Sequence, residues 1–377
     1  MNIGIFGGSF DPVHIEHVRL AEAAVKTLAL DKLLIMPAST PPHKKGKRLS
    51  PAEDRLTMCR LAFAHLPCVE VSDYEIQQEG TSYTYLTCRH FKSLYQNARL
   101  FWLVGTDMLR DFPTWKNPES ILNDATLAVC GRAEKEGWEE AELENFRRKF
   151  NKDLAFVDYN ATAVSSTQIR VLAGAGMRIT HLADEKVAEY IDEKGLYKIP
   201  YADKALSFET PRRAQHSICV ALAAAKVANK LKMDERQAIT AALFHDCAKN
   251  ISPDHPLLKN FAVPQENGEV PNTVWHQFAG AYLAEHAFEI TDGEVLNAIR
   301  FHTSGRANMT ELEKLVFLAD IAEESRVFDA VEEIRTQFYQ GNLDEAMRLA
   351  LKRSLEFLNS KGASVYPLTL QAYEFYE

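Results

Sequence analysis

Ile5-Phe6-Gly7-Gly8-Ser9-Phe10-Asp11-Pro12-Val13-His14-Ile15-Glu16-His17 is the stretch that decides the fold of the first half of the chain. An apolar strand, Met1 to Phe6, runs into a glycine turn and then into a helix from His17. Paired glycines let a backbone approach an anion closely, and a new helix offers unpaired N–H groups and the positive end of its dipole. His14 and His17 stand three residues apart at that helix start. A bare glycine pair marks only a turn. Turn glycines, His-x-x-His and a helical run from Val18 to Leu28 together point to bound phosphate.

Outward from this stretch, strand-like and helix-like runs alternate. Strands are expected at Lys32 to Met36, Cys68 to Val71, Arg99 to Gly105, Ala125 to Cys130 and Leu154 to Val157. Helices are expected from Ser50-Pro51-Ala52-Glu53, read as a capping box with proline at the first helical position, and near Tyr83 to Tyr95 and Trp138 to Phe150. That alternation predicts a Rossmann-like α/β domain, a parallel sheet with helices on both faces, with ligands at the carboxyl ends of the strands. Ser165-x-x-Gln168 reads as a further capping box whose exposed N–H groups and hydroxyls, with Arg170 one turn in, would suit an anion. Pro42-His43-Lys44-Lys45-Gly46-Lys47-Arg48 is a basic loop after the second strand, and such runs are also common as solvated surface.

After Val157 strands stop appearing. Helices open at Ser165 and at Asp184, the mixed segment Gly195 to Phe208 reads as a linker, and Thr210-Pro211 makes a good helix start. Beyond it lie helix signatures only: Arg212 to Lys230, Asp234 to Cys247, and capping boxes at Thr291-x-x-Glu294 and Thr310-x-x-Glu313. Ser252 to Pro271 holds four prolines and reads as a loop. Two domains follow, 1–198 and an all-α part at 207–377, a division that suits 377 residues.

A net charge of −9 argues against a general nucleic-acid binder, so local basic patches must serve small anions. Six cysteines without a Cys-x-x-Cys pair or a secreted-scaffold spacing fit a reducing cytoplasm. The N-terminus enters a strand without a signal segment, and no apolar run approaches the ~18 residues of a membrane span, so no membrane partner is expected.

The first stretch resembles the nucleotidyltransferases, and Gly-Gly-Ser-Phe-Asp-Pro-Val-His is similar to the nicotinate mononucleotide adenylyltransferase form of their His-x-Gly-His type motif. The resemblance covers roughly residues 1 to 198. Val164-Ser165-Ser166-Thr167-Gln168-Ile169-Arg170 resembles that family's triphosphate site, and Pro42-His43-Lys44 its Pro-x-His-Lys loop. Gly80-Thr81-Ser82-Tyr83-Thr84 is similar to the stretch that receives the nicotinate ring, and Gly105-Thr106-Asp107 with Trp115 to the Gly-x-Asp and stacking-tryptophan region. The resemblance implies transfer of adenylate from ATP, as its Mg2+ complex, to nicotinate mononucleotide. His14 and His17 become the catalytic pair, and Gly7, Gly8, Ser9, Phe10, Lys44, Ser166, Thr167 and Arg170 the ATP contacts. Ser82, Tyr83, Thr84, Asp107 and Trp115 become the nicotinate contacts. Leu86 replaces a frequent aspartate, and Glu16 replaces the usual glycine. A carboxylate beside a triphosphate is repulsive unless it is turned away or neutralised.

In the second half, His216, the adjacent His245-Asp246, His276, His302 and Asp320 lie on or beside expected helices. A lone histidine on an Ala-rich helix is usually a satisfied core residue. An adjacent carboxylate late in an apolar helix is costly to bury unpaired, and a transition metal resolves that cost. From about Ser207 to Ser325 the chain resembles the HD-domain phosphohydrolases, in the branch that hydrolyses diadenosine tetraphosphate symmetrically to two ADP. The residues that carry this are His245-Asp246-Cys247-Ala248-Lys249, His276, Arg300-Phe301-His302-Thr303-Ser304-Gly305 and Ala319-Asp320-Ile321 with Arg326. The resemblance implies iron or another divalent transition metal on His216, His245, Asp246 and Asp320, and a second metal or a phosphate at His276 and His302. It also implies substrate contacts from Lys249, Thr303 and Arg326, with water activated at the metal attacking phosphorus. An HD module that only binds or senses nucleotides and an HD hydrolase of another nucleotide are the rival readings.

Overall fold

The computed structural model describes residues 1–39, 49–78, 81–131, 140–266 and 268–377, and the side chains at 107 and 140–142 also lie outside the description. The backbone divides into two compact units. One is Met1–Ile169 with Ile179–Leu196, the other Arg170–Arg178 with Tyr197–Glu377.

The first unit opens with β1 (Asn2–Gly8), α1 (Ile15–Thr27), β2 (Lys32–Pro37), α2 (Ala52–Phe63), β3 (Val69–Val71), a short α3 (Tyr74–Gln77) and α4 (Thr84–Leu94). It continues through β4 (Arg99–Gly105), α5 (Thr106–Asp111), α6 (Pro118–Asp124), β5 (Thr126–Gly131), α7 (Glu140–Phe150) and β6 (Ala155–Asp158). Then come α8 (Ser166–Gly174), which starts in this unit and ends in the other, and α9 (Glu185–Glu193). The six strands are all parallel, in the order β3-β2-β1-β4-β5-β6. Strands covered on both faces must be apolar throughout, and Ile3, Ile5, Leu33, Leu34, Ile35, Leu127 and Ala128 are buried to 1% exposure or less. The chain order reverses between β1 and β4, so the carboxyl ends of those two strands, Gly8 and Gly105, border the crevice where ligands bind in such sheets.

Several local expectations are corrected. α1 begins two residues earlier than His17, at Ile15, because His14 is extended and serves as its N-cap. α2 begins at Ala52 with Pro51 as N-cap and no side-chain cap, and Ser50 instead gives its N–H to Asp11 at 3.2 Å. At Ser165 only half a capping box forms: the Gln168 N–H reaches Ser165 Oγ at 3.2 Å, while Gln168 Oε1 is buried without a partner. Gly7 is required by packing as well as by any ligand, since a Cβ there would stand 2.7 Å from the Trp102 ring. Trp138, placed in the expected helix before Phe150, and the basic loop 42–48 with Lys44 lie outside the described residues.

The second unit is all-α among its described residues: α10 (Ala202–Ser207), α11 (Pro211–Leu231), α12 (Glu235–Phe244), α13 (Asn272–His286), α14 (Gly293–Arg300), α15 (Glu311–Ala322), α16 (Val331–Gln340), α17 (Leu343–Ser360) and α18 (Pro367–Tyr376). α10 occupies the segment expected to be a linker. α15 is its centre, because Leu315, Val316, Phe317, Leu318 and Ala319 are all buried and no face is left for water. Ala221, Ala224, Ala225 and Ala228 of α11 are fully buried, as are Ala238, Ala241 and Ala242 of α12, and such small side chains let two helices approach closely. Thr310 caps α15 in a complete box with Glu313. The box expected at Thr291 is replaced by Asp292, which accepts from the N–H groups of Glu294 and Val295. His245 and Asp246 lie just past α12, not within it, because the helix ends at Phe244.

Candidate active sites

In the first unit, the turn after β1 sets the His14 and His17 rings against each other at the start of α1, with centroids 3.7 Å apart and planes tilted by 32°. The His14 N–H donates to His17 Nδ1 at 3.2 Å, which fixes the second ring. Phe10, only 1% exposed and with a left-handed φ of 47°, sets its ring 4.9 Å from that of His17. A bulky residue in that backbone region is strained, and such strain is tolerated where the surroundings over-determine it. Burial lowers the pKa of His14 to about 4, against a raising influence of Glu16, so His14 is neutral at neutral pH.

Sequence reasoning missed the brace beneath this turn. Arg55, 2% exposed, gives Nη1 to the carbonyls of Ser9 (2.9 Å) and Ala38 (2.8 Å) and Nε to that of Ser50 (3.1 Å). Its only signal is an arginine on the helix face shared by Met58, Cys59 and Ala62. Ser166 Oγ donates to the Pro12 carbonyl at 2.9 Å, so the start of α8, with Thr167 next in line, lies against the same turn. Arg170 Nε and Nη2 each donate to the Glu235 carboxylate at 2.7 Å. Glu16 is turned away from solvent and paired, with the Tyr159 hydroxyl, the Thr162 N–H and Arg19 all donating to it.

Ser82 and Tyr83 precede α4, where Tyr83 is the N-cap and Thr84 the first helical residue. The Ser39 N–H donates to Ser82 Oγ at 3.1 Å, which draws this stretch to the end of β2. Lys116 Nζ stands 4.3 Å from the centre of the Tyr83 ring, so the chain neighbour of Trp115 and the Ser-Tyr-Thr stretch share one place. Trp115 itself packs on Phe112 with ring centroids 5.3 Å apart. Asp107 lies in α5, and its side chain is outside the description.

The second unit brings every sequence-predicted ligand together. Three overlapping groups have ligand atoms within 4.8 Å of one another: His216, His245 and Asp246; His245, His302 and Asp320; and Asp246, His276 and His302. His245 gives Nδ1 to the Ala242 carbonyl at 2.6 Å, and His302 gives Nδ1 to that of Ile299 at 2.8 Å. A carbonyl only accepts, so the proton sits on Nδ1 and each Nε2 presents its lone pair to the centre, the orientation that metal-binding histidines take. His245 Nε2 is buried without a hydrogen-bond partner. Asp246 Oδ1 lies 3.2 Å from His276 Nε2 and 3.5 Å from His302 Nε2, with geometry too poor for a hydrogen bond. Nitrogen lone pairs and a carboxylate converging with too few protons among them fit a divalent transition metal.

Charges follow from burial. His245 and His276 are both lowered to about 4, mainly because buried imidazolium is poorly solvated. Burial opposes the charge on Asp246 too, but His245, His276 and His302 hold it far below the carboxylate range. His216 goes the other way. Burial works against its charge, yet Asp320 at Nε2 (2.8 Å) and Glu323 at Nδ1 (3.1 Å) raise its pKa to about 9. Glu323, fully buried, is a residue the sequence reading missed; its signal was only its place one turn after Asp320.

Around the cluster, Lys249 Nζ stands 3.0 Å from His276 Nε2, and Thr303 Oγ1 stands 2.9 Å from His302 Nε2. Arg326 pairs with Asp320 and reaches within 3.2 Å of His216 Nε2.

The fold and these two clusters define a nucleotidyltransferase domain followed by an HD domain. Residues 5–172 match the cytidylyltransferase-like family and residues 213–324 the HD domain family. A probable nicotinate-nucleotide adenylyltransferase/Ap4A hydrolase of Mycoplasma pneumoniae is 30% identical over 86% of this chain and 89% of its own length. A probable nicotinate-nucleotide adenylyltransferase of Clostridium tetani is 36% identical over 52% of this chain and 98% of its own. A solved protein of Clostridium acetobutylicum, described as a predicted HD superfamily hydrolase involved in NAD metabolism, is 31% identical over 46% of this chain and 95% of that one, with a TM-score of 0.40. The chain belongs to the nicotinate-nucleotide adenylyltransferase family, as a member that carries an HD domain after the transferase domain, and it is an enzyme. No described helix is long and apolar enough to cross a membrane.

Proposed function

We propose that the first unit transfers the adenylyl group of ATP to nicotinate mononucleotide and that the second hydrolyses diadenosine tetraphosphate to two ADP. The transfer reading is carried by the adjoining His14 and His17 rings at the start of α1, beside the carboxyl ends of β1 and β4. The family membership supports the acceptor. A phosphate oxygen of the mononucleotide forms a bond to the α-phosphorus, the bond from that phosphorus to the bridging oxygen breaks, and pyrophosphate leaves with the electron pair. Charge grows on the bridging and leaving oxygens, and donors fixed beforehand stabilise it. His17 is the chief donor. His14, neutral at pH 7, contributes a hydrogen bond rather than a charge. Gly7, Gly8, Ser9, Phe10, Lys44, Ser166, Thr167 and Arg170 form the ATP contacts in this reading, with Mg2+ carried in on the triphosphate. Ser82, Tyr83, Thr84, Asp107 and Trp115 take the nicotinate end.

The hydrolase reading is carried by the buried, unpartnered Nε2 of His245 amid converging ligands. His216, His245, Asp246 and Asp320 would hold iron or another divalent transition metal, with His276 and His302 at a second ion or at a phosphate. The metal would supply Lewis acidity and acidify water. Lys249, Thr303 and Arg326 surround the cluster and would hold phosphate oxygens. The substrate is supported by the name of the Mycoplasma pneumoniae relative and by the sequence resemblance. Six free cysteines fit residence in the cytoplasm.

The test is to assay the full chain twice. With ATP, Mg2+ and nicotinate mononucleotide it should release pyrophosphate, with the amide mononucleotide a poorer acceptor. With diadenosine tetraphosphate and Fe2+ it should give ADP as the sole nucleotide. Pyrophosphate release with neither mononucleotide overturns the first reading, and binding without ADP release makes the HD domain a nucleotide-binding module.

A further inference from the structure

Between the two histidines of the first turn stands Glu16. The residue is 6% exposed. The Tyr159 hydroxyl donates to Oε2, the Thr162 backbone N–H donates to the same oxygen at 2.8 Å, and Arg19 Nη1 donates to Oε1 at 3.0 Å. Tyr159, itself 8% exposed, also reaches the Glu16 carbonyl at 3.3 Å. A buried carboxylate without such donors would be costly, and these donors, with Arg19, hold its pKa below the usual range against the effect of burial. The same bonds spread its charge, which answers the repulsion expected of a carboxylate near a triphosphate.

What the donors belong to gives the arrangement its use. Tyr159 and Thr162 lie in the connection from β6 to α8, whose last residue is Ser165. That connection is tied at its far end as well, by Ser166 Oγ on the Pro12 carbonyl. Glu16 and Pro12 lie on either side of His14. Glycine at position 16 has no side chain with which to make the first tie.

We propose that Glu16 is a positioning residue, a carboxylate clasp that fixes the 159–165 connection and so sets Ser166 and Thr167 against the His14 turn for the nucleotide phosphates. The proposal rests on the adenylyl-transfer reading.

The experiment compares full-length wild type with Glu16→Ala, Glu16→Gly, Glu16→Gln, Tyr159→Phe and the Glu16→Ala/Tyr159→Phe double variant. Steady-state transfer is measured with ATP and nicotinate mononucleotide varied separately, and amide hydrogen exchange is followed over 159–166. Glu16→Ala and Glu16→Gly should raise KM for ATP by about tenfold, the loss typical of a charge-assisted hydrogen bond, with KM for the mononucleotide little changed. Exchange at the Thr162 amide should quicken in step. Glu16→Gln should stay within about threefold of wild type, because its amide oxygen still accepts from Tyr159 and Thr162. The double variant should be no worse than Glu16→Ala alone by more than about twofold, since both changes break one tie.

A wild-type KM for ATP in Glu16→Gly overturns the proposal. So does a raised KM without faster exchange, which would make Glu16 a direct nucleotide contact, and so does failure of Glu16→Gln to rescue. Should wild type transfer nothing, the adenylyl-transfer reading falls. The clasp is then judged by exchange alone: quickened exchange in Glu16→Ala keeps the tie, and unchanged exchange removes it.

Discussion

Nε2 of His276 and Nε2 of His302 stand 3.1 Å apart in the second unit, closer than two bare lone pairs tolerate. His302 uses Nδ1 on the Ile299 carbonyl, so its Nε2 has no proton to offer unless the ring is charged. Either a shared proton or a cation must lie between these rings, and Asp246 Oδ1 faces the same space from 3.2 and 3.5 Å.

Asp246, His245 and His302 each belong to two of the three ligand groups, and of these Asp246 alone brings a negative charge, so Asp246→Ala should cost the most. Removing a ligating carboxylate should lower bound metal to background and ADP release by at least about 100-fold, while pyrophosphate release by the first unit persists. Elemental analysis and the two assays check this. A chelator should reproduce the hydrolytic loss in wild type, and a variant with full metal and full rate would make Asp246 structural.

Glu323 lies behind His216 and accepts from its Nδ1. Glu323→Gln should weaken metal affinity by about 10- to 100-fold without abolishing it, since outer partners set ring orientation and ligand basicity. Titration of the metal-free protein with Fe2+ or Mn2+ measures the shift. Unchanged affinity would show that Asp320 alone orients the ring.

His17→Ala should reduce adenylyl transfer by about 10²- to 10³-fold, the usual loss of one donor that strengthens in the transition state. Hydrolysis of diadenosine tetraphosphate should be untouched. The check is the ratio of the two rates on one preparation, which cancels errors in active concentration.

His14 carries a pH signature. Its folded pKa is about 4 against 6.5 for a free imidazole, so between those values the unfolded chain binds more protons than the folded one. The stability tied to neutral His14 is present above pH 6.5 and is lost as pH falls toward 4. In NMR the His14 ring should show no titration above about pH 5. His14→Gln should flatten the fall in thermal stability of the transferase unit between pH 6.5 and 4, and an unaltered fall would assign it elsewhere.

Much of this was legible in the chain. Gly7-Gly8 between an apolar run and a helical one, and His245-Asp246 after another, mark both sites because each is a local pattern fixed by backbone geometry and by the cost of burying charge. The parallel sheet followed from alternation, and the all-α half from its end. Helix starts were less secure. Ser50, Thr291 and the Gln168 half of the Ser165 box failed as caps because a serine or threonine followed by an acid or amide competes with neighbours such as Pro51 and Asp292 that a pattern cannot rank.

The sequence by itself determined the two strand-and-helix regimes, the glycine turn before α1 and the His and Asp types of the second-unit cluster, because those depend on spacing within a few residues. Only the tertiary structure decided that β4 lies beside β1, that Arg55 braces the Ser9 turn, and that Arg170 meets Glu235. It also decided which imidazole nitrogens face the centre of the His and Asp cluster. Tyr159 meets Glu16 across 143 positions and Glu323 meets His216 across 107. Partners so far apart leave no periodic trace in the chain, since they are brought together by the packing of whole elements and their hydrogen bonds form only once that packing has excluded water.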